Sequence, residues 1–400
     1  MRDVIVYGNN FWPEPIGIPK YTADMVRFGC EEHKGDLNIS VVCAKPYYPS
    51  WQKWPGYNYH TYSKEVYSNA KVFRCPTLVP KSSTSLSRIF QELVFAAFSF
   101  PLVTFCYFRG STIVVTVPSL LNLWVCFLPK SKQRVFIIVK DLQLQIVERN
   151  NLVKNQRLLR LVKKFEKRAF QRCNKIYAVS NGIIRELKQQ YGINNVILFP
   201  DWVNLLSDDS SFREKQKKLF TVGYSGNIAK KQNLKFLLDV ADLCKELPIE
   251  FVIAGSGPEL NSLIEYSSKL ELTNIRFEGL CTEAELPKRL KSFDLHVVPQ
   301  LEEFSDLCMP GKIFNVMACE RALLVFAPAE SELEKVIKES GSGVCLNNFD
   351  AQATANLIIE IMEAPTLLSE YGASGKEYVE KNYSRDRLLT EFWQQVEEGT

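Results

Sequence analysis

Short runs of Val, Ile and Leu alternate with longer amphipathic helical patterns along the whole chain, and this alternation is its strongest constraint on fold. The predicted strands of the first half are Val4 to Gly8, Ile39 to Ala44, Ile113 to Val117, Val135 to Val139, Lys175 to Ser180 and Val196 to Phe199. Those of the second half are Phe220 to Ser225, Phe251 to Ala254, Ile275 to Glu278, Leu295 to Pro299, Ala322 to Ala327 and Gly343 to Leu346. Strands made of branched apolar residues are covered on both faces, which indicates parallel sheets with crossover helices. The sequence therefore predicts an α/β protein with doubly wound sheets.

The chain is long enough for two such domains, because 400 residues exceed what one hydrophobic core organises. The polar stretch 204–218, with five consecutive Ser and Asp residues, is the predicted linker. It separates an N-terminal domain over 1–203 from a C-terminal domain over 219–380, and a last helix over 381–400 is expected to cross back to the first domain. Ligands of doubly wound sheets bind beyond the carboxyl ends of the strands, so a cleft between the two domains is the expected site.

Composition and missing motifs exclude several classes of protein. The net charge of +4 is too small to indicate a nucleic-acid partner. The 11 cysteines form no CxxC pair and there are only three histidines, which favours a reducing cytoplasm without structural zinc. The segment MRDVIVYG enters a strand at once, so no signal peptide is expected. Neither a GxxxxGK[ST] sequence nor a dinucleotide fingerprint occurs, which argues against a P-loop ATPase and an NAD-dependent dehydrogenase.

Residues 308–320 predict the start of a helix. Pro310 and Gly311 break the preceding loop, and apolar residues then recur at helical spacing, namely Ile313, Phe314, Met317 and Ala318. The first backbone N–H groups of a helix attract anions, Lys312 adds a full positive charge, and Asn315 shares the face of Lys312. The pattern indicates a phosphate site. An ordinary helix start with a solvated lysine is the alternative.

Small and polar residues follow several predicted strands, where a ligand can approach the backbone closely. They are Gly17 in a proline-rich loop, Gly226 and Asn227 after the first strand of the second half, and Gly255, Ser256 and Gly257 after the next strand. A GxG sequence after a strand is also typical of a plain tight turn.

The chain resembles glycosyltransferases of family 4, and the similarity runs from about residue 4 to residue 395. The segments that carry it are VYGNNFWPEPIGIPKYTADMV, CAKPYYPSWQKW, FRCPTLVPK, YAVSNG, FPDWVN, YSGN, AGSGPE and MPGKIFNVMA. PYYPSW and RCPTLVPK are specific to a subgroup that acts in bacterial exopolysaccharide assembly, including that of colanic acid. The resemblance implies a GT-B fold, in which two Rossmann-like domains face each other across a cleft, and a nucleotide sugar as co-substrate without any further cofactor.

The resemblance also implies roles for individual residues on the donor side. Breaking the bond between sugar and diphosphate develops negative charge on the leaving phosphate, so Lys312, the helix start at Gly311 and the backbone near Gly17 are candidates to stabilise it. Lys230 and Lys231 follow the GN position, where family members often carry a basic residue; a surface role is the alternative. The other donor-binding candidates are Gly226, Asn227, Gly255, Ser256 and Gly257.

The carboxylates of the family motif ExxxxxxxE are replaced in this chain. Asn315 stands where the second Glu, a ribose ligand, is expected, and the first Glu falls on Leu307. Glu303 or Asp306 is the candidate to take its place, unless both are solvated loop carboxylates. Asp141 follows the strand VFIIVK, preceded by Lys140 where the family frequently has His, and is assigned a positioning or acceptor-side role.

Two segments of the first half predict contact with a membrane. Leu93 to Phe108 is 16 residues long and contains Pro101, so it is a buried helix, the commoner case, or an interfacial segment. The basic segment 154–172 places its apolar residues on one helical face, namely Leu158, Leu161, Val162, Phe165 and Ala169. Such a helix rests on anionic lipid or packs on its own domain with a solvated basic face. We expect peripheral attachment to the cytoplasmic face of the cell membrane.

These patterns and the resemblance together predict a retaining glycosyltransferase that needs no metal. It would transfer a sugar from a nucleotide diphosphate donor to a lipid-diphosphate-linked saccharide. GDP-fucose is one donor that the resemblance suggests, and other GDP or UDP sugars stay open. The alternatives are a nucleotide-sugar 2-epimerase of the same fold and a non-catalytic partner in a polysaccharide assembly complex.

Overall fold

The computed structural model describes residues 2–80, 85–129, 134–142, 144, 156–203, 219–301 and 309–398. The chain divides into two compact units, one formed by Met1–Asp201 together with Asp386–Thr400 and the other by Trp202–Arg385. Each unit is built around its own doubly wound sheet, so the predicted α/β class is confirmed. The predicted linker, residues 204–218, lies outside the described residues.

The first unit contains an eight-stranded sheet in the order β3-β4-β2-β1-β5-β6-β7-β8. Its strands are β1 Arg2–Tyr7, β2 Leu37–Ala44, β3 Ser63–Tyr67, β4 Ala70–Cys75, β5 Thr112–Val117, β6 Val135–Val139, β7 Lys175–Ala178 and β8 Val196–Leu198. Its helices are α1 Ile18–Glu32, α2 Ser85–Phe108, α3 Gln156–Arg172 and α4 Asn181–Tyr191, with a 3₁₀ helix at Leu120–Phe127. The strands pair in parallel except at the edge, where β3 runs antiparallel to β4.

The second unit contains a six-stranded parallel sheet in the order β11-β10-β9-β12-β13-β14. Its strands are β9 Phe220–Asn227, β10 Ile249–Ser256, β11 Ile275–Glu278, β12 Leu295–Pro299, β13 Ala322–Phe326 and β14 Gly343–Leu346. Its helices are α5 Leu234–Leu243, α6 Leu260–Lys269, α7 Leu286–Lys291, α8 Lys312–Ala318, α9 Glu332–Ser340, α10 Ala351–Met362 and α11 Pro365–Asn382, with a 3₁₀ helix at Lys230–Gln232. The last helix, α12 Arg385–Glu398, follows α11.

All twelve predicted strands are present. Most are runs of branched apolar residues buried between helical layers, whereas the edge strands β8, β11 and β14 are only partly buried. The hairpin of β3 and β4 was missed. Its first strand reads SKEVY and is half-exposed, so the apolar signal is weak there. The turn that joins the strands has left-handed backbone at Ser68 and Asn69, with φ of 45° and 70°. Two such residues form the tight connection that an antiparallel hairpin requires.

The chain closes the first unit with its last helix, α12. Trp393 is fully buried and its indole N–H donates to the carbonyl of Met25, 3.0 Å away. The ring occupies the space that a side chain at position 29 would fill, since a Cβ added to Gly29 would lie 2.5 Å from Trp393. Phe392 stacks on Phe199, with ring centroids 5.0 Å apart. Residues distant in sequence thus form one core.

Helices α2 and α3 differ from the sequence expectations. Of the two alternatives for Leu93 to Phe108, a fully buried helix does not describe α2, because one face is buried and the remaining residues are partly buried or exposed. In α3, Leu161 of the predicted apolar face is 66% exposed, so this part of the face does not pack on the unit. The side chain of Leu158 lies outside the described residues. The packed face of α3 includes Ala169 of the predicted face together with Leu159 and Phe170, and Phe165 of that face packs partly buried on the same core.

Candidate functional site

The carboxyl end of β9 brings Lys312 and Tyr224 together in the second unit. The Lys312 ammonium lies over the Tyr224 ring, with Nζ 3.9 Å from the ring centroid. Tyr224 is buried and its hydroxyl donates to the carbonyl of Asn227, 2.5 Å away, which fixes the end of the strand. A cation held over an aromatic face at this distance is attracted by the ring quadrupole. The lysine is therefore held in place rather than loose in solvent.

Helix α8 presents Lys312 in its first turn, as the sequence predicted. The residues expected to pack inward are all buried: Ile313, Phe314, Met317 and Ala318. Gly311 is the exposed N-cap, and an added Cβ would meet nothing within 4 Å. The helix has only seven residues, so its dipole is small. The positive charge at this position comes mainly from the Lys312 side chain.

A cavity of about 180 Å³ opens beside Lys312. Most of its lining is apolar, and its polar contributors are Ser225, His296, Lys312 and Asn315. Pockets that enclose a whole small ligand measure roughly 300 to 1,000 Å³. The cavity therefore fits a sugar ring or a base, but not a complete nucleotide sugar.

His296 belongs to the wall of this cavity. The ring is buried within β12, and its Nε2 lies 2.9 Å from the carbonyl of Leu290. Its ring also packs against Phe293, with centroids 5.1 Å apart. A histidine held in this way shapes the cavity.

The electrostatics of the site leave Lys312 ready for an anion. Burial, helped by the nearby charge of Lys231, lowers the pKa of Lys312 from its usual value near 10.5 to about 7. Within the part of the chain that the structure describes, no carboxylate forms an ion pair with it. Lys230 and Lys231 are exposed on the 3₁₀ helix that follows β9. The two lysines add positive charge on the same side of the sheet.

The glycines after β9 and β10 have different structural reasons. Gly226 has φ of 150°, and a Cβ there would lie 3.3 Å from the Tyr224 hydroxyl and 3.5 Å from Lys312 Nζ, so its backbone borders the ammonium. A Cβ at Gly255 would lie 1.8 Å from the Gly226 carbonyl oxygen, and one at Gly257 would lie 2.0 Å from that of Ile228. Close approach of two backbone segments therefore explains Gly255 and Gly257 without a ligand. Ser256, between them, is exposed, as is Asn227.

In the first unit, Asp141 follows β6 at the carboxyl end of the sheet. The carboxylate accepts a hydrogen bond from the Leu142 N–H, 2.8 Å away, and burial raises its pKa. Lys140 forms an ion pair with Asp201. Gly17, after β1, is the N-cap of α1 with φ of 72° and open space where a Cβ would be. Gly17 and Asp141 lie at the same edge of one sheet.

The structure adds a buried cluster that the sequence analysis did not single out. Glu14 is almost completely buried, and one of its oxygens accepts from the N–H groups of Tyr47 and Tyr48, each 2.8 Å away. Its other oxygen accepts from the Asn10 side chain at 2.9 Å. Arg74, fully buried, donates to the carbonyl of Trp12. The signal was available, since Glu14 lies in WPEP, Tyr47 and Tyr48 in PYYPSW, and Arg74 in RCPTLVPK.

Some predicted residues cannot be placed. Glu303, Asp306 and Leu307 lie outside the described residues. Among the residues that the structure does describe, no three His, Cys, Asp or Glu side chains come together in a way that could hold a metal ion.

Comparisons with known proteins give the family and the fold that this chain is similar to. Residues 207–378 match the family model described as glycosyl transferases group 1. Over 410 aligned residues the chain is 28% identical to WcaI of Escherichia coli K12, a glycosyl transferase assigned to colanic acid biosynthesis, with 97% of this chain and 98% of that protein covered.

Two solved structures share the fold along essentially the whole chain. Sucrose-phosphate synthase of Thermosynechococcus elongatus superposes with a TM-score of 0.71 at 14% identity, covering 100% of this chain and 99% of that one. HepE of Anabaena in complex with UDP gives a TM-score of 0.68 at 11% identity, with 100% of both chains covered. The two doubly wound units thus have the GT-B architecture. The chain is a glycosyltransferase, and the match to the glycosyl transferases group 1 model falls within its second unit.

Proposed function

We propose that this protein is a retaining glycosyltransferase that builds a bacterial exopolysaccharide. It transfers a sugar from a nucleotide diphosphate donor to a saccharide carried on a lipid diphosphate. The observation that carries the proposal is Lys312, an ammonium held over Tyr224 beside a cavity of sugar size, without a carboxylate partner among the described residues. An ammonium in this position can bind the diphosphate of the donor.

Lys312 has a specific task in this reaction. The bond between the anomeric carbon and the terminal phosphate oxygen breaks, and the nucleotide diphosphate leaves with additional negative charge. A preorganised ammonium stabilises that charge more in the transition state than in the bound donor. The acceptor hydroxyl forms the new bond on the same face of the sugar, and its proton passes to the departing phosphate oxygen.

Asn315 and the cavity bind the remainder of the donor in this proposal. Asn315 lies one turn beyond Lys312 on the same helical face and lines the same cavity. Its amide can donate to and accept from sugar or ribose hydroxyls. Lys230 and Lys231 attract the anionic donor, while Gly17 and Asp141 serve the reaction from the first unit. Glu303 or Asp306 holds the transferred sugar.

The relative in Escherichia coli, whose name refers to colanic acid biosynthesis, supports an exopolysaccharide as the product. The acceptor that we propose is carried on a lipid, so the enzyme would work at the cytoplasmic face of the cell membrane. The donor base stays open between uracil and guanine. UDP is the nucleotide in the structure of HepE, and GDP-fucose is a donor suggested by sequence resemblance.

The experiment is product analysis with defined substrates. A thermal-shift screen with GDP, UDP and their sugars first selects the donor, because a bound ligand raises the melting temperature. The selected donor is then incubated with and without a lipid-diphosphate-linked saccharide, and the products are identified by mass spectrometry and anomeric NMR signals. A new glycosidic bond with retained configuration supports the proposal. Conversion of the donor sugar without an acceptor would indicate an epimerase, and an inverted product would refute the retaining mechanism.

A further inference from the structure

Helix α2 exposes a large apolar face that its own unit does not cover. Its residues Ser87–Phe108 are long and apolar enough, by length and composition, to cross a membrane, yet only 22% of their 18-residue apolar window is buried. Five phenylalanines are exposed along it: Phe90, Phe98, Phe100, Phe105 and Phe108. Soluble monomers rarely leave a continuous apolar patch of this kind open to water.

The opposite face of α2 is part of the core of the first unit. Gln91, Phe95, Ser99, Val103 and Tyr107 are all buried and recur at intervals of four residues. The Ser99 hydroxyl hydrogen-bonds the Tyr7 hydroxyl at 2.8 Å, and Phe95 stacks on the Tyr7 ring with centroids 5.6 Å apart. A helix that crossed the bilayer would lose these contacts. In this fold, α2 therefore lies along the unit and presents one side outward.

The apolar surface continues from α2 through the 3₁₀ helix to the basic helix α3. Phe100 of α2 packs against Trp124, with ring centroids 4.9 Å apart, and Phe127 stacks on Phe165 of α3 at 5.0 Å. Helix α3 then adds exposed basic side chains, which include Lys164, Lys167, Arg168 and Arg172. Aromatic and basic groups thus belong to one surface.

The acidic residues of this surface are turned inward. The Glu92 carboxylate of α2 accepts from the Ser119 hydroxyl at 2.7 Å. Glu166, the acid of α3, is buried and hydrogen-bonded to the Tyr191 hydroxyl. The 3₁₀ helix Leu120–Phe127 has no charged residue. The outward side of these three elements is therefore apolar and positive, which complements an anionic lipid surface.

We infer that α2 is an in-plane membrane anchor: its phenylalanine face inserts into the headgroup region of an anionic bilayer while α3 binds lipid phosphates beside it. The inference rests on the proposed function, because a lipid-linked acceptor stays in the membrane. It goes beyond simple electrostatic attachment, because the aromatic face holds the protein after salt has screened the charges. A single basic helix would release completely at high salt.

Vesicle flotation of the full chain tests the anchor. Wild type is expected to bind vesicles of phosphatidylcholine with phosphatidylglycerol and to bind pure phosphatidylcholine more weakly. Phe105→Ser combined with Phe108→Ser should lower the partition coefficient at least tenfold on both lipids, because two residues that are 59% and 60% exposed lose their apolar contact. The matched control is Val66→Ser with Leu280→Ser, two exposed apolar residues elsewhere in the chain, and it should bind as wild type does.

Charge reversal in α3 tests the basic side chains separately from the phenylalanine face of α2. Lys164→Glu with Lys167→Glu should weaken binding to anionic vesicles by about fivefold or more for each altered lysine and leave binding to neutral vesicles unchanged. Lys269→Glu with Lys288→Glu, exposed lysines of α6 and α7, makes the same change in net charge as a control. At high salt, wild type should keep the binding that the phenylalanine variant lacks.

Three results would overturn the inference. The first is that wild type does not bind vesicles, and the second is that the phenylalanine variant binds as wild type does. The third is that the phenylalanine substitutions convert a dimer to a monomer and leave vesicle binding unchanged. In the last case the face would be an interface between two copies. Nucleotide binding in solution, measured by calorimetry, is expected to be unchanged in every variant. If the wild-type protein binds no nucleotide, the proposed function is rejected, whereas the membrane anchor is not affected by that result.

Discussion

The two units hold buried charge in opposite ways. In the first unit, Arg74 donates to Glu65 and to two backbone carbonyls, and Glu14 accepts two backbone N–H groups, so each charge has several partners. In the second unit, Lys312 contacts an aromatic ring, and its neighbouring charge is another lysine. A charge with satisfied hydrogen bonds maintains architecture, whereas a cation that has no counter-ion among the described residues is poised for a ligand. The comparison predicts that mutations in the two places will damage different properties.

The largest expected effect is on transfer by Lys312→Ala. Removal of one preorganised charge from a transition state costs roughly 2 to 4 kcal/mol, or ~10² to 10³ in rate. The melting temperature should not fall, because the mutation also removes an ammonium that is costly to bury. Steady-state kinetics and thermal unfolding measure both quantities. Lys269→Ala, at an exposed position of α6, serves as the control. Wild-type turnover in Lys312→Ala would reject the role of Lys312.

Glu14→Ala should show the reverse pattern, with stability as the main loss. Two buried N–H groups, those of Tyr47 and Tyr48, would lose their acceptor, and each unsatisfied group costs about 1 to 3 kcal/mol. We expect the free energy of unfolding to fall by about 2 kcal/mol or more, measured by urea denaturation. Glu14→Gln keeps an acceptor oxygen and should recover part of the loss. Unchanged stability in Glu14→Ala would mean that the cluster does not hold these loops.

The third prediction concerns the pH dependence of nucleotide-sugar binding at Lys312. With its pKa lowered to about 7, this lysine is charged below pH 7 and neutral above it in the free protein. A bound diphosphate favours the ammonium and raises its pKa. Affinity for a nucleotide sugar should therefore fall above pH 7, by up to about tenfold per pH unit, since one pKa unit corresponds to about 1.4 kcal/mol.

Calorimetry from pH 6 to pH 9, in buffers of different ionisation enthalpy, would reveal both the fall in affinity and the uptake of a proton. Lys231→Gln is the diagnostic variant, because removal of its charge should move the fall to higher pH. An affinity that stays constant across this range would show that Lys312 does not change protonation on binding.

The smallest expected effect is that of removing metal ions. Lys312 and its neighbours supply positive charge to the diphosphate, so EDTA should leave transfer within about twofold of its untreated rate, a change of under about 0.5 kcal/mol. Activity lost in EDTA and restored by magnesium or manganese would contradict this expectation. The assay needs the donor and acceptor defined above and no further variant.

The predictability of the fold and of the site differed for physical reasons. Buried parallel strands appear in the sequence as local apolar runs, so their positions could be predicted from the sequence alone. The half-exposed strand β3 carries no such run and was missed. The start of α8 followed from Pro310, Gly311 and the helical period. The contact of Lys312 with Tyr224 could not be predicted from the sequence, because 88 positions separate the two residues and only the sheet brings them together.

The glycines and Glu14 illustrate a further limit of sequence reasoning. A glycine that admits a ligand and a glycine that admits a neighbouring strand look the same in sequence, and only the backbone distances at Gly255 and Gly257 separate the two cases. Glu14 was a lone acid between two prolines. Its partners Tyr47 and Tyr48 lie in another loop, so its burial depends on the order of strands in the sheet.

The position of Trp393 has a consequence for how the protein is made. The first unit needs α12, which lies about 190 residues beyond Asp201, where the rest of that unit ends. During synthesis, domains fold as their sequences emerge, so the continuous second unit can fold while the first still lacks part of its core. Until Trp393 emerges, the space beside Gly29 stays open and apolar surface is exposed. A nascent chain whose second unit has already folded must therefore still be protected from aggregation through the exposed apolar surface of its incomplete first unit.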